Sequence, residues 1–224
     1  YSFDREAQDA YAIDSLKKAQ AAIESGAFAS EITPVEVAQR GGTVTIDTDE
    51  QPMKARFDKI PQLRPAFKKD GTVTAANASS ISDGAAAVVL MRQAEATKRV
   101  LTPLARIVAH TSHAQEPSEF TMAPIGAIGS LMAKTGWEKD SVDLFEINEA
   151  FAVVPMAAIE SLGLDAAKVN VNGGACALGH PIGCSGTRIV VTLLAALANH
   201  GKSRGVASLC IGGGEATALA VELI

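Results

Sequence analysis

The sequence predicts an α/β layered domain. Three observations carry that prediction. Strand-like apolar runs alternate with helical patterns over residues 103 to 224. Glycines gather at the junctions between them. Hydrophobic residues make up 47% of the chain, enough to fill a core between layers. With 224 residues the chain has room for one large domain or two small ones.

Each element follows from its own pattern. "SFDREAQDAYAIDSLKKAQAAIESG" reads as an amphipathic helix capped by Ser2 and closed by Gly26, with Ala10, Ile13, Leu16, the stem of Lys17, Ala21 and Ile23 on one face. "EITPVEV" and "GTVTID" are β-rich and flank a Gly-Gly turn. From Thr48 to Asp70 the chain is polar and irregular, with Lys54, Arg56, Lys59, Arg64, Lys68 and Lys69 expected in solvent. "DGAAAVVLM" suits a buried strand, and "PLARIVAHTSHA" another. "APIGAIGSLMAKTGW" is a helix with Pro124 near its start. "SVDLFEI" is a strand, and "NEAFAVVPMAAIESLG" a helix that Pro155 can bend. "SGTRIVVTLLAALANHG" is a helix, and "RGVASLCI" and "TALAVELI" are strands around a "GGGEA" turn.

Composition excludes several function classes. A net charge of −5 argues against general nucleic-acid binding. No apolar run is expected to span a membrane, and the polar, acidic start shows no signal-peptide pattern. Three cysteines at irregular spacing do not form a disulfide framework and suggest a reducing compartment. No Cys pair has the spacing of a metal site. The chain opens on Tyr1 rather than Met, so a processed or incomplete chain is expected.

Three loops carry the chemistry: "INEAFA" at 147–152, "NGGACALGHPIGCSG" at 172–186 and "CIGGGEA" at 210–216. All lie at strand–helix or strand–strand junctions, where ligands gather in α/β sheets. They offer an amide (Asn148), an imidazole (His180) and a thiol (Cys210), beside glycines that expose backbone N–H groups. That set suits acyl transfer, in which a developing oxyanion needs fixed donors. Plainer roles compete: Asn148 as a helix N-cap, Cys176 and Cys184 as small buried hydrophobes, "GGGEA" as a tight turn. Neither phosphate-loop fingerprint occurs, which disfavours a nucleotide-binding domain.

Taken together, "NEAFA", "GGACALGHPIGCSG" and "CIGGGEA", with "TVTAANASSISDGAAAVVL" at 72–90 and "REAQDAYAIDSLKKA" at 5–19, resemble the signature blocks of the thiolase family in order. The resemblance implies a thiolase-like α/β fold, a mixed five-stranded sheet layered with helices. Residues 1–81 would be the end of an inserted loop domain, 82–102 the last strand region of the N-terminal half, and 103–224 the C-terminal half. The first half would be largely missing, and with it the nucleophilic Cys, leaving this chain inactive alone. The implied activity is acyl transfer: condensation of two acetyl-CoA to acetoacetyl-CoA, thiolytic cleavage of 3-ketoacyl-CoA, or both. A non-catalytic CoA- or acyl-binding fragment and a ketoacyl synthase-type condensing enzyme are the alternatives.

The resemblance also implies roles. His180 would take the proton of the nucleophilic Cys and donate to the thioester oxygen. Cys210 would move the α-proton. Asn148 would hold the water that completes one oxyanion hole with His180, and the Gly212 amide would help form the second. Ser79, Lys59 and Arg56 would contact coenzyme A, bound as a substrate with no tightly held cofactor. Tyr11, with backbone oxygens at Ala75, Ala76, Ala78 and Cys176, matches a potassium site. The glycines of 172–186 would let the thioester approach. Partners would be acyl-CoA, CoA and the missing half in a homodimer or homotetramer, without nucleic acid or membrane, in the cytoplasm or, in a eukaryote, the mitochondrial matrix.

Overall fold

The computed structural model describes residues 1–224. Helix α1 (Arg5–Glu24) is capped by Asp4, whose carboxylate accepts the Ala7 amide at 2.7 Å. The expected cap, Ser2, lies outside the helix at a φ of 56°. The buried face holds Gln8, Asp9, Ala12, Ser15, Leu16, Ala19 and Ala22, rather than the set built on Ala10, Ile13 and Ala21. This face packs on the glycine-rich loop, whose buried polar groups need hydrogen-bond partners more than apolar cover.

Strands β1 (Val35–Gln39) and β2 (Gly42–Ile46) form the expected hairpin, turning at Gly41 with a φ of 114°. The stretch that follows is less irregular than expected, with 3-10 turns at Pro52–Lys54 and Phe57–Gln62, but it keeps all six basic residues exposed. "DGAAAVVLM" is a correction. It pairs with no strand and is largely exposed, with Val89 at 84% and Leu90 at 70%. An apolar run becomes a buried strand only where a sheet offers an edge and a cover, and no element of this chain provides them here.

Beyond α2 (Gln93–Lys98) the alternation read from the sequence is realised. β3 (Ala105–Ala114), α3 (Ala123–Thr135), β4 (Leu144–Ile147), α4 (Val153–Leu162), α5 (Ala175–Leu178), α6 (Ile182–Asn199), β5 (Arg204–Cys210) and β6 (Glu215–Leu223) follow in order. The strands form one mixed sheet in the order β3-β6-β5-β4, antiparallel except for the parallel β4–β5 pair. Four strands pair fully where five were expected. The fifth is reduced to a single parallel bridge between Val169 and Phe145. Pro155 falls in the first turn of α4, where a helix needs no N–H from it, so the helix runs through.

Alternation along the strands sets two cores. Phe145, Ile147, Val206 and Ala218 pack under α3 and α4 with Ile128, Leu131 and Val154. Leu144, Ala207 and Val221 face α6 with Ile189, Leu193 and Leu197. Burying each such Leu, Ile or Phe contributes about 1.5–3 kcal/mol. By length and composition α6, with a mean hydropathy of 1.4, could cross a membrane, which corrects the expectation that no run is long enough. Its apolarity has a local cause: one face is the floor of the second core, where Leu193 and Leu197 are fully buried.

Candidate active site

The site is built at the carboxyl ends of the parallel strands β4 and β5. Asn148 follows β4 directly and prolongs its ladder, its backbone N–H donating to Ser208 O at 2.9 Å. Its side chain is only 1% exposed, yet neither amide atom meets a protein partner. An unpaired buried amide costs roughly 1–3 kcal/mol, so it calls for a partner that is not protein, a bound water or a ligand. The helix-cap role is ruled out, because α4 begins only at Val153.

His180 stands just before α6, which starts earlier than the sequence suggested, with Pro181 as its cap residue. The His180 backbone N–H donates to Ser80 O at 2.9 Å. Nδ1 lies 2.6 Å from Ser185 Oγ, and that hydroxyl also donates to Pro181 O at 3.1 Å. A hydroxyl has one hydrogen. Given to Pro181, it leaves Ser185 to accept from Nδ1–H, so Nε2 carries the free lone pair. Burial, and then the nearby Arg188 guanidinium, lower the imidazole's pKa and favour this neutral base. Ser185 escaped the sequence reading. Its only signal was its place five residues after His180, in the first turn of α6.

Cys210 ends β5, two residues beyond the Ser208 carbonyl that holds Asn148. It is 6% exposed, and burial pushes its thiol up to about 11. It is therefore a protonated thiol at neutral pH. The next loop offers open N–H groups. Neither Gly212 nor Gly213 donates to a protein acceptor, and a Cβ on Gly212 would meet nothing within 4 Å.

A second group missed in the sequence is Glu149. Its fully buried carboxylate accepts Ser15 Oγ at 2.7 Å, Asn170 Nδ2 at 2.9 Å, the Cys176 amide at 3.0 Å and Tyr11 OH at 3.2 Å. Ser15 Oγ in turn accepts the Gly174 amide at 2.9 Å. Glu149 thus ties α1 and the β4 end to the loop that leads to His180. This also revises why the loop is glycine-rich. A Cβ on Gly174 would strike the Glu149 carboxylate, one on Gly173 would come within 2.9 Å of Ala19, and one on Gly179 would strike Ser80 and Ser82. The protein's own groups, rather than a ligand, demand those three glycines. Short helix α5 also interrupts what read as pure loop.

The remaining expected residues fall in two places. Ser79 is part-buried against the site: its amide and hydroxyl both donate to Ala150 O, at 3.1 and 3.0 Å. Lys59 and Arg56 are exposed and share Asp58, at 3.9 and 3.4 Å. Tyr11 is part-buried beside Cys176, and desolvation, then the Glu149 charge, raise its pKa well above the ordinary value. The carbonyls of Ala75, Ala76, Ala78 and Cys176 accept no hydrogen bond from the protein. Cys176 and Cys184 are buried free thiols, as their plainer role required.

Comparison with known proteins agrees with this fold. Residues 101–223 match the family model for the thiolase C-terminal domain, and residues 1–94 that for the thiolase N-terminal domain. An acetyl-CoA acetyltransferase of Thiocystis violacea is 51% identical over 224 residues, covering 99% of this chain and 57% of that protein. The cytosolic acetyl-CoA acetyltransferase of Mus musculus is 50% identical, with shares of 99% and 57%. The Bacillus anthracis acetyl-CoA acetyltransferase superposes with a TM-score of 0.96 at 44% identity, over 100% of this chain and 57% of that one. The Acat5 thiolase of Ascaris suum in complex with coenzyme A gives a TM-score of 0.94 at 47% identity, with the same shares. The chain therefore spans 57% of the length of these relatives. Both family domains are represented in it, so the expectation of a missing N-terminal half, and of inactivity on that ground, is not sustained. On these matches and this architecture, the chain belongs to the thiolase family.

Proposed function

We propose that the protein is an acyltransferase of the thiolase type, which condenses two acetyl-CoA to acetoacetyl-CoA, cleaves 3-ketoacyl-CoA with CoA, or does both. The observation that carries this is the buried amide of Asn148, unpaired at the end of β4. It lies beside a strand that ends in a protonated thiol and opens into free glycine amides. Enolate or tetrahedral charge on a thioester oxygen needs fixed donors in a dry site. Asn148 supplies one through a bound water, shared with His180, and the Gly212 amide supplies another. His180 accepts a proton at Nε2. Cys210 holds the proton that moves to and from the α-carbon. The acyl-bearing nucleophile is not assigned to Cys176, Cys184 or Cys210, all of which are buried.

Coenzyme A would meet Ser79 at the mouth, with Arg56 and Lys59 toward its phosphates. The free carbonyls of Ala75, Ala76, Ala78 and Cys176, with the neutral Tyr11 hydroxyl, are oxygen donors of the kind a potassium ion takes, where it would add positive charge beside the loop. Residues 1–81 are assigned to the inserted loop domain, 82–102 to the last strand region of the first half and 103–224 to the second half. A homodimer or homotetramer in the cytoplasm, or in the matrix of a mitochondrion, completes the proposal. It is supported by relatives named acetyl-CoA acetyltransferase, the mouse one described as cytosolic.

The test is Cys210→Ser in the intact protein. Condensation should be crippled while acylation by acetyl-CoA stays measurable. Equal loss of both would remove the assigned role of Cys210. Tight CoA binding without thiolysis or condensation by the unaltered protein would replace the enzyme with a CoA-binding module.

A further inference from the structure

One buried charged cluster is left unused by these roles. Glu146 on β4 is 2% exposed, and its Oε2 faces Arg188 Nη1 on α6 at 3.6 Å. Glu146 Oε1 and Arg188 Nη1 have no hydrogen-bond partner. Glu31, from the turn after α1, accepts Thr192 Oγ1 on α6 at 3.3 Å, and its Oε2 is also unpartnered. The charged groups acting on Glu146 are Arg188 and Lys18, which favour its ionised form, and Glu149 and Glu31, which oppose it.

The positions of the pair matter more than its strength. Leu144 and Glu146 line the β4 face under α6, and by strand alternation Asn148 continues that row. On α6, Ser185, Ile189 and Thr192 recur at helical spacing on the buried face, and Arg188 beside them reaches Glu146 on the sheet. Arg188 is thus one turn from the serine that holds His180. Glu146 is one strand repeat from Asn148. We propose that Glu146 and Arg188 are positioning residues, a clamp between β4 and α6 that fixes the spacing of the Asn148 amide and the His180 imidazole.

This deepens the thiolase reading and rests on it for its kinetic consequence. Two donors that share one oxyanion must be held to fractions of an ångström, and a 1 Å misplacement can cost about 100-fold in rate. Ground-state binding of CoA, made elsewhere, needs no such spacing. The cost of the clamp is visible. Desolvation outweighs Arg188 and pushes the Glu146 carboxyl up to about 8. A buried acid that weakens the fold once it ionises fits a positioning role better than a stabilising one.

Glu146→Gln in the intact protein separates the two. At pH 9 the variant should melt at a higher temperature than the wild type, yet show kcat lowered roughly 10- to 100-fold, with KM changed less than about twofold. The ratio of variant to wild-type kcat should climb toward one as the pH falls below 8, where the wild type also loses the charge. Arg188→Lys should retain more activity than Arg188→Met. Unchanged kcat at pH 9, or a kcat loss that only tracks a loss of folded protein, overturns the clamp. The side-chain NMR signals of Asn148 and His180, read with no substrate present, decide independently of turnover. Displaced Asn148 amide signals in Glu146→Gln, and loss of the Nδ1-protonated His180 tautomer in Arg188→Met, support it. Unchanged Asn148 signals and an unchanged His180 tautomer overturn it, even if the protein proves to have no thiolase activity.

Discussion

Replacing Glu149 by Gln keeps the shape of the side chain and changes its hydrogen-bonding sense. The native carboxylate meets two donors on each oxygen: Tyr11 OH and Asn170 Nδ2 on Oε1, Ser15 Oγ and the Cys176 amide on Oε2. A glutamine presents an NH2 on one side. Either way round, one hydroxyl on that side can rotate and accept, but one fixed N–H cannot. Facing Oε1 it is Asn170 Nδ2, already committed to Ile147 O at 2.8 Å, and facing Oε2 it is the Cys176 backbone. One stranded donor costs about 1–3 kcal/mol, and exchanging a charged acceptor for a neutral one on the other side adds about 1 kcal/mol. The expected loss is therefore ~2–4 kcal/mol, a large share of a domain stability of about 5–15 kcal/mol. Glu149→Ala strands both fixed donors and opens a void, so it should cost more than Gln. Urea unfolding followed by far-UV circular dichroism gives both values from the shift in midpoint at constant slope. A Gln variant within about 0.5 kcal/mol of wild type, or an Ala variant no worse than Gln, would show that the four bonds do not hold the loop.

Three further outcomes follow from the same geometry. Ser185→Ala should free His180 Nδ1 and lower kcat roughly 10- to 100-fold with KM nearly unchanged, and 15N shifts of the ring should show a mixed tautomer. For Glu146 the folded pKa is raised from 4.5 to about 8, so the stability it allows is full below pH 4.5 and declines as the pH rises toward 8. Glu146→Gln should escape that decline, with a midpoint difference in denaturant that grows across the window to on the order of 4 kcal/mol, and that stays flat if the group is normal. Gly179→Ala combines a φ of 83° with a Cβ driven into Ser80 and Ser82, and should unfold at a temperature several degrees lower, whereas Gly183→Ala, where a Cβ would meet nothing within 4 Å, should not.

Much of the second half was legible because its alternation of strand and helix depends on local apolar spacing. β3 through β6 and helices α3, α4 and α6 fall where the periodicity placed them, within about five residues at their ends, while the four-residue α5 was not read. What the sequence hid was set by long-range partners. The burial of α1 follows Glu149, which lies 134 residues from Ser15, so the helix carries a polar face that no apolar pattern announces. "DGAAAVVLM" has the composition of a buried strand but no neighbour in this chain to pair with. At the site, His180, Asn148 and Cys210 stood out because their residue types are rare in glycine-rich junctions. Ser185, Glu149, Glu146 and Arg188 did not, because their meaning lies in what faces them across the fold.

The reduced fifth strand has a consequence at the sheet edge. Asn170 sits at a φ of 47° and turns its side-chain amide onto Ile147, with Oδ1 accepting the Ile147 N–H and Nδ2 donating to its carbonyl, both at 2.8 Å. One side chain thus does what a neighbouring strand's peptide would do, and it closes β4 beside the residue that precedes Asn148. An open strand edge recruits foreign chains into non-native assemblies. Here that edge is sealed by an amide that cannot itself be extended, so the sheet is protected from runaway growth at the margin that carries Asn148.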